Sequence, residues 1–159
     1  MPEDPSNAEH NENEFAILFV DDEEQALKYF TKAFTKQFRT LTAPSVKQAQ
    51  AILEQDARIA VVITDQRMPG ETGVDLLRFV REKHPAIVRI LTTAYADLED
   101  AIAAVNSGEI FRYITKPWNL DTLQQDLLLA MRFFNLQRDR DLLIEEKLGI
   151  YQQLTGVNR

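Results

Sequence analysis

Short apolar runs alternate with helix-like stretches along this chain, and this alternation most constrains how it can fold. The clear runs are five or six residues long and rich in Ile, Val and Phe, and a weaker one has Thr at alternate positions. Runs that are apolar on both faces are typical of strands buried in a parallel sheet. The predicted strands are 15–20, 38–43 (at a sheet edge), 59–63, 87–91 and 110–114.

Between these runs, apolar residues recur at spacings of three and four, which is typical of amphipathic helices. Ser45 is predicted to cap the second helix and Gly108 to end the fourth, whose apolar face contains Leu98, Ile102 and Val105. The predicted helices are 23–36, 45–55, 73–83, 97–106 and 119 to about 154. Repeated strand–helix alternation predicts an α/β fold, a doubly wound parallel sheet with helices on both faces.

The last predicted helix is too long for the domain. A helix of about 30–35 residues would measure about 45–50 Å, so its second half should leave the domain. We expect residues 134–159 to form a helical extension, either a dimerising coiled coil or a linker to another domain; a helix that folds back or frays is the alternative. Two imperfect heptad registers run along it: Phe134, Gln137, Asp141, Ile144, Leu148 and Tyr151, and Leu136, Leu143 and Ile150.

Charge and composition exclude several function classes. The net charge is −7 and no Cys is present, which argues against direct nucleic-acid binding by a basic surface and excludes disulfides, Cys-based zinc sites and thiol catalysis. Residues 1–14 hold five acidic residues and no Lys or Arg, so we predict a disordered acidic tail there. Without an apolar run of about 18 residues or a signal-like start, we expect a cytoplasmic protein with no membrane contact.

Polar side chains follow four of the predicted strands. Ligands of open α/β sheets bind beyond the carboxyl ends of the strands, so we expect these side chains to converge at one edge. They are Asp21 and Asp22, then Thr64 and Asp65, then Thr92 and Thr93, and finally Thr115 and Lys116.

Three adjacent carboxylates cannot all stay ionised without help, because two unit charges about 4 Å apart repel by about 4 kcal/mol at an effective dielectric of 20. Either one carboxyl takes up a proton or a cation lies among them. Lys116 offers one positive charge, and Mg²⁺, which prefers carboxylate, water and phosphate oxygens, would offer more. Since an Asp carboxylate can form an acyl phosphate, the cluster indicates phosphoryl chemistry. Simpler readings stay open: Asp21 or Asp22 as a helix cap with Gln25, and Asp65 as a turn residue.

The polar residues belong to motifs that resemble the receiver domains of two-component response regulators, in the same order and spacing over about residues 15–133. The loop at 65–70 and the Lys-Pro-Trp segment look most like receivers of hydrogenase-type transcriptional regulators and of HD-type phosphodiesterase regulators. The resemblance implies five parallel strands in the order 2-1-3-4-5. The motifs are Ile-Leu-Phe-Val-Asp-Asp-Glu at 17–23, Asp-Gln-Arg-Met-Pro-Gly at 65–70, Thr-Ala at 93–94 and Tyr-Ile-Thr-Lys-Pro at 113–117.

The resemblance implies a metal site and a phosphoryl acceptor. Asp65 corresponds to the acceptor. Asp22 corresponds to a direct Mg²⁺ ligand and Asp21 to a mostly water-mediated one. The backbone carbonyl of Arg67 would complete the ligands, and the Arg67 and Tyr95 side chains would flank the pocket and slow the approach of water.

The resemblance also implies a switch. Thr93 would bond one phosphoryl oxygen, Lys116 would pair with another, and Tyr113 corresponds to the switch aromatic that turns inward with Thr93. The phosphoryl donor would be a sensor histidine kinase or a phosphotransfer protein. A homodimer is expected through the C-terminal helix or through the face formed by the fourth helix, fifth strand and fifth helix. Catalysis would be limited to the protein's own phosphorylation and dephosphorylation.

Two other functions remain open from the sequence. A phosphatase with an aspartyl-phosphate intermediate usually has a second acid–base Asp two residues after the nucleophile, and here that residue is Arg67. A pseudo-receiver that only dimerises is the second, and the intact acidic residues speak against it.

Overall fold

The computed structural model describes residues 14–56, 58–108 and 110–156, so the predicted acidic tail lies outside the described residues except for Glu14. Strands and helices alternate throughout this part of the chain. In chain order they are β1 (Ala16–Val20), α1 (Glu24–Phe34), β2 (Arg39–Ala43), α2 (Val46–Gln55), β3 (Ile59–Asp65), α3 (Gly73–Lys83), β4 (Val88–Thr93), α4 (Leu98–Asn106), β5 (Arg112–Thr115) and α5 (Leu120–Thr155).

The five strands form one parallel sheet in the order β2-β1-β3-β4-β5, which confirms the predicted fold class and strand order. One apolar cluster joins α2, α3 and α4 to the first face of the sheet. A second, richer in Phe, joins α1 and α5 to the other face. The central strands are apolar in both directions because both faces are covered.

Two central strands extend past their apolar runs. β3 continues through Thr64 to Asp65 and β4 through Thr92 to Thr93, so the predicted strand ends at residues 63 and 91 were each two residues short. The continuation comes from pairing with neighbours: Asp65 lies beside Thr92, and Thr93 beside Thr115. Thr is also well suited to strands. The polar residues therefore sit on the rigid sheet rather than on loops.

The start and end signals of the helices were mostly confirmed. Ser45 accepts a hydrogen bond from the Gln48 backbone N–H at 3.2 Å, and Gly108 follows α4 with a φ of 76°. The predicted apolar face of α4 was wrong in part. Its buried side chains are Ala101 and Ala104, while Ile102 is 42% exposed. Val105 packs half-buried against the same cluster, so α4 contacts the sheet through small side chains and Ile102 is not among them.

Helix α5 continues without interruption for 36 residues, about 54 Å, which contradicts the fold-back alternative. Its first half packs on the sheet through Leu123, Leu127 and Phe134. Every residue from 138 to 156 is exposed. In the part of the chain that the structure describes, no helix combines the length and the apolar character needed to cross a membrane.

Candidate functional site

The carboxyl ends of the strands bring the predicted acidic residues together. Asp21 directly follows β1, Asp65 ends β3 and Lys116 directly follows β5. One carboxylate oxygen from each of Asp21, Asp22 and Asp65 lies within 4.8 Å of the others. We call Asp21, Asp22, Asp65 and Lys116 the acidic rim.

Lys116 bridges two of these carboxylates. Its Nζ donates a hydrogen bond to Asp21 Oδ2 at 2.9 Å and lies 3.4 Å from Asp65 Oδ1. Asp21 is fully buried, and its other oxygen accepts a hydrogen bond from the Glu23 backbone N–H at 2.9 Å. A buried carboxylate needs such partners, because an unpaired charge in the interior is very costly.

The same contacts decide against the helix-cap reading of the acidic pair. The N-cap of α1 is Glu23, whose side chain makes no capping hydrogen bond. Asp21 uses its oxygens for Lys116 and for the Glu23 N–H, while Asp22 is exposed at the edge of the rim. Neither Asp21 nor Asp22 forms a capping box with Gln25.

The charges of the acidic rim perturb each other's protonation. Burial raises the pKa of Asp65, the charge of Lys116 opposes that rise, and the nearby charge of Asp21 adds to it, so the pKa lies above its ordinary value. Burial works against the Lys116 ammonium, but its hydrogen bond to Asp21 and the charges of Asp65 and Asp21 outweigh burial and raise its pKa. The ammonium is therefore firmly charged.

The donor set fits a hard divalent cation. Three carboxylates from Asp21, Asp22 and Asp65 are close enough to contribute oxygens to one ion, and Lys116 supplies only one positive charge against them. Oxygen donors of this kind suit Mg²⁺. The predicted cation site is thus chemically consistent with the residues present.

The two predicted switch residues lie on neighbouring strands. Thr93 is fully buried; its hydroxyl donates to the Ala94 carbonyl at 3.2 Å, and its own carbonyl accepts from the Lys116 backbone N–H at 2.9 Å. Tyr113 is half-buried on β5 and packs against the cluster beneath α2, α3 and α4. The Thr93 hydroxyl therefore faces its own loop here rather than the carboxylates.

The Arg67 side chain makes a contact that the sequence did not predict. Its Nη2 donates to Asp97 Oδ1 at 3.0 Å, and its Nε lies 2.8 Å from Asp97 Oδ2. This ion pair joins the loop after β3 to the start of α4. The side chain of Tyr95, predicted to flank the same pocket, lies outside the described part of the structure.

Sequence reasoning also missed the close packing of the start of α3 against the backbone of Asp65. A Cβ on Gly73 would lie 2.2 Å from the Asp65 carbonyl oxygen and 2.9 Å from Leu91 Cδ1, so only glycine fits there. Gln66 closes the loop, because its backbone and side-chain carbonyls accept from the N–H groups of Gly73 and Val74, both at 3.0 Å. The capping box of Thr72 with Asp75 was legible as Thr-x-x-Asp, but the close approach at Gly73 was not.

A second missed contact lies beside Lys116. The Trp118 indole N–H donates to the Thr92 hydroxyl at 2.8 Å, and the ring packs edge-on against Phe19 with centroids 5.3 Å apart. The Lys116 Nζ lies 5.8 Å from the centroid of that ring. Trp118 thus ties the segment after β5 to the end of β4.

Comparison with known proteins agrees with this geometry. The family model described as the response regulator receiver domain matches residues 17–128. The hydrogenase transcriptional regulatory protein HoxA of Cupriavidus necator is 40% identical over 129 residues, which is 81% of this chain and 27% of that protein. The regulatory protein AtoC of Escherichia coli K12 is 36% identical over 122 residues, 76% of this chain and 25% of that protein. The chain thus spans about a quarter of the curated relatives it matches.

Solved structures give the same result. A response regulator receiver domain protein from Clostridium thermocellum is 32% identical, with a TM-score of 0.69, covering 78% of this chain and 97% of that one. The signal receiver domain of an HD domain-containing protein from Pseudomonas fluorescens Pf-5 is 29% identical, with a TM-score of 0.75, covering 84% and 98%. With the acidic rim at the carboxyl edge of a 2-1-3-4-5 sheet, the chain belongs to the receiver domains of response regulators.

Proposed function

We propose that this receiver accepts a phosphoryl group on Asp65 and changes an output or dimerisation surface in response. The observation that carries the proposal is the position of the Lys116 ammonium, which lies between the carboxylates of Asp21 and Asp65 at 2.9 and 3.4 Å. A fixed positive charge beside a partly buried carboxylate suits a site where more negative charge will arrive.

The donor would be the phosphohistidine of a sensor histidine kinase or phosphotransfer protein. An Asp65 Oδ attacks phosphorus, the P–N bond breaks, and the donor imidazole departs with the bonding electron pair. Lys116 then pairs with a phosphoryl oxygen and offsets its charge. Asp21, Asp22, Asp65 and the Arg67 carbonyl would hold Mg²⁺, which supplies further charge stabilisation when bound. The chemistry stays confined to the protein's own phosphorylation and dephosphorylation.

The response would begin at Thr93. Its hydroxyl now donates to the Ala94 carbonyl, and a phosphoryl oxygen on Asp65 offers a charged acceptor instead, which forms a stronger hydrogen bond. Movement of Thr93 would make room for the half-buried Tyr113 to turn inward. The phosphoryl group thereby shifts the population between two existing conformations of the domain rather than creating a new one.

Two exposed apolar surfaces support a homodimer. The extension displays Leu136, Leu143 and Ile150 at seven-residue intervals, each at least half exposed. On α4, Ile102 is exposed beside Leu98 and Val105, which are half-buried. An output domain following the extension is equally part of the proposal, because the matched region is only 27% of the HoxA relative. A cytoplasmic location stays a prediction of the sequence.

The phosphorylation test uses the intact mass of the protein after incubation with acetyl phosphate and Mg²⁺. We expect a gain of ~80 Da, one phosphoryl group, in wild type and in the matched control Asp121→Asn, and no gain in Asp65→Ala. The same gain in Asp65→Ala, or none in wild type, would overturn the proposal.

Two further experiments distinguish the rival functions from the proposed one. Steady turnover of a phosphomonoester would identify a phosphatase, which the Arg at position 67 argues against because it cannot shuttle a proton as an Asp does. An unchanged oligomeric mass and unchanged amide exchange on α4 and α5 after beryllofluoride treatment would identify a pseudo-receiver.

A further inference from the structure

Arg67 and Asp97 join the two loops that border the acidic rim. We propose that this ion pair is a latch, in which Arg67 keeps the Asp97 carboxylate away from the first turn of α4 until phosphorylation of Asp65 draws the guanidinium to the phosphoryl group. The inference rests on the proposed function for its trigger. It adds a positioning role for the Arg67 side chain and a capping role for Asp97.

The latch has the geometry of a two-point contact. Nη2 of Arg67 donates to Asp97 Oδ1 at 3.0 Å, and Nε lies 2.8 Å from Oδ2. The guanidinium end is exposed, whereas the Asp97 side chain is only 13% exposed. The mobile partner is therefore the arginine, and the carboxylate is the fixed one.

Asp97 occupies a position where its carboxylate has another use. It is the N-cap residue of α4, yet its side chain makes no capping hydrogen bond. An N-cap carboxylate ordinarily accepts from the second or third backbone N–H of the helix, here those of Glu99 and Asp100. Within the described residues, Asp97 Oδ2 is buried without a hydrogen-bond donor, because Arg67 Nε is near it but not aligned to donate.

The backbone of Asp97 indicates that capping requires movement. Its ψ of 16° differs from the extended values at the N-caps of α2 and α3, which are 161° and 166°. Turning residue 97 toward such values would displace the start of α4. The helix packs on the sheet through the buried Ala101 and Ala104 and the half-buried Val105, and these small side chains oppose that displacement weakly.

Phosphorylation supplies the charge that would open the latch. The pKa of Arg67 lies above its ordinary value because of its hydrogen bond to Asp97 and the charge of Asp97. The charge of Asp65 also raises this pKa, so the guanidinium already interacts electrostatically with the phosphoryl acceptor. A phosphoryl group adds about 1.5–2 negative charges and three acceptor oxygens, which a guanidinium can bind through two parallel bonds. Arg67 is two residues from Asp65, so its long side chain would turn to that group as Asp97 is released.

The test measures amide hydrogen exchange of Glu99 and Asp100 in the first turn of α4. In resting protein, Arg67→Ala frees Asp97 to cap, so protection should rise about three- to thirtyfold over wild type, the range of an N-cap bond. The double variant Arg67→Ala/Asp97→Ala should show no rise. Lys28→Ala, which removes an exposed ion pair with Glu24 on α1, is the matched control and should behave as wild type.

The second arm loads wild type with Mg²⁺ and beryllofluoride, with occupancy read by ¹⁹F NMR. Protection of the same amides should rise to the level of resting Arg67→Ala, and Asp97→Ala should not respond. Equal protection in resting wild type and Arg67→Ala, or no change in fully loaded wild type, would overturn the latch. If wild type takes up neither acetyl phosphate nor beryllofluoride, the proposed function fails, and the resting comparison alone decides whether Arg67 withholds Asp97 from α4.

Discussion

Lys116 is the residue on which the charge balance of the acidic rim depends. Asp21 is fully buried, and it is tolerated there because Lys116 and the Glu23 N–H each satisfy one of its oxygens. The charge of Asp65 is less well compensated, since its distance to the ammonium is 3.4 Å and burial raises its pKa. The pocket therefore holds one well-compensated carboxylate and one that gains from any further positive charge.

The first prediction concerns Asp65→Asn. Because the folded-state pKa of Asp65 lies above its ordinary value, the folded state loses stability as pH rises from that ordinary value through the folded pKa. Removing the charge should therefore raise the Tm at pH 7 by about 2–4 °C, and the gain should shrink toward pH ~4.

Thermal unfolding followed by circular dichroism between pH 4 and 8 measures this difference. Asp121→Asn, an exposed carboxylate at the start of α5, is the control and should shift little. A lower Tm for Asp65→Asn at pH 7 would contradict the assignment of Asp65 as the less compensated carboxylate.

The second prediction concerns Gly73→Ala. The new Cβ would overlap the Asp65 carbonyl oxygen at 2.2 Å, so α3 must shift away from β3. We expect a loss of about 2 kcal/mol in the free energy of unfolding and slower phosphorylation, since the shift moves Asp65 itself. Urea unfolding and intact-mass kinetics measure both. Gly149→Ala, where a Cβ meets nothing within 4 Å, should not be destabilised.

At the scale of elements, the end of β4 is shared between the two faces of the sheet. Side chains alternate along a strand, so Thr92 and Thr93 point to opposite faces. Thr92 accepts from Trp118, which packs with the Phe-rich cluster beneath α1 and α5. Thr93 lies on the face of the sheet that α4 covers. A displacement of this strand end would therefore act on both layers, one of which contains α4 with its small buried side chains Ala101 and Ala104.

The third prediction uses Trp118, the single tryptophan of the chain. In Thr92→Val the indole N–H loses its acceptor at 2.8 Å, which should lower the free energy of unfolding by about 1–3 kcal/mol and shift the emission of Trp118. Urea unfolding followed by fluorescence measures both. Thr42→Val, on the edge strand β2, should leave the emission unchanged. An emission identical to wild type in Thr92→Val would show that the hydrogen bond does not form in solution.

At the scale of the whole molecule, the acidic rim and the extension lie at opposite ends of the sheet. Helix α5 begins after the carboxyl end of β5, and Phe134 contacts Phe15, which directly precedes β1, with ring centroids 4.8 Å apart. Arg138 lies over the Phe15 ring at 4.8 Å to its centroid and marks where the helix leaves the domain. A signal from Asp65 to the extension must therefore cross the full depth of the domain.

The fourth prediction concerns truncation after residue 138. Because residues 139–156 are exposed, their removal should change the free energy of unfolding of the domain by less than about 0.5 kcal/mol. If the extension dimerises the chain, truncation should yield a monomer by sedimentation, and so should Leu143→Glu/Ile150→Glu in the full chain. Glu145→Gln is the control. A truncated chain that still dimerises would assign the dimer to the face of α4, β5 and α5 instead.

The parts of the fold that depend on local pattern were predictable. The Ile- and Val-rich runs predicted the strands, Ser45 and Gly108 predicted helix limits, and the uninterrupted composition after residue 119 predicted the long helix. The orientation of α4 was not predictable. Ala101 and Ala104 are buried and Val105 packs half-buried, whereas the larger Ile102 stays exposed, and hydrophobicity alone does not distinguish these positions.

For the site, the sequence by itself determined which charged residues follow or end each strand. Because the strands are parallel, these residues all lie at the carboxyl edge of the sheet. Only the tertiary structure decided that Lys116 bridges Asp21 and Asp65, that Gly73 lies against the Asp65 carbonyl, and that Arg67 holds Asp97. The Lys116 and Arg67 contacts join residues far apart in the chain, and even the short loop between Asp65 and Gly73 does not by itself reveal their close approach. Their geometry follows from how the helices pack on the sheet, and packing depends on the whole core at once.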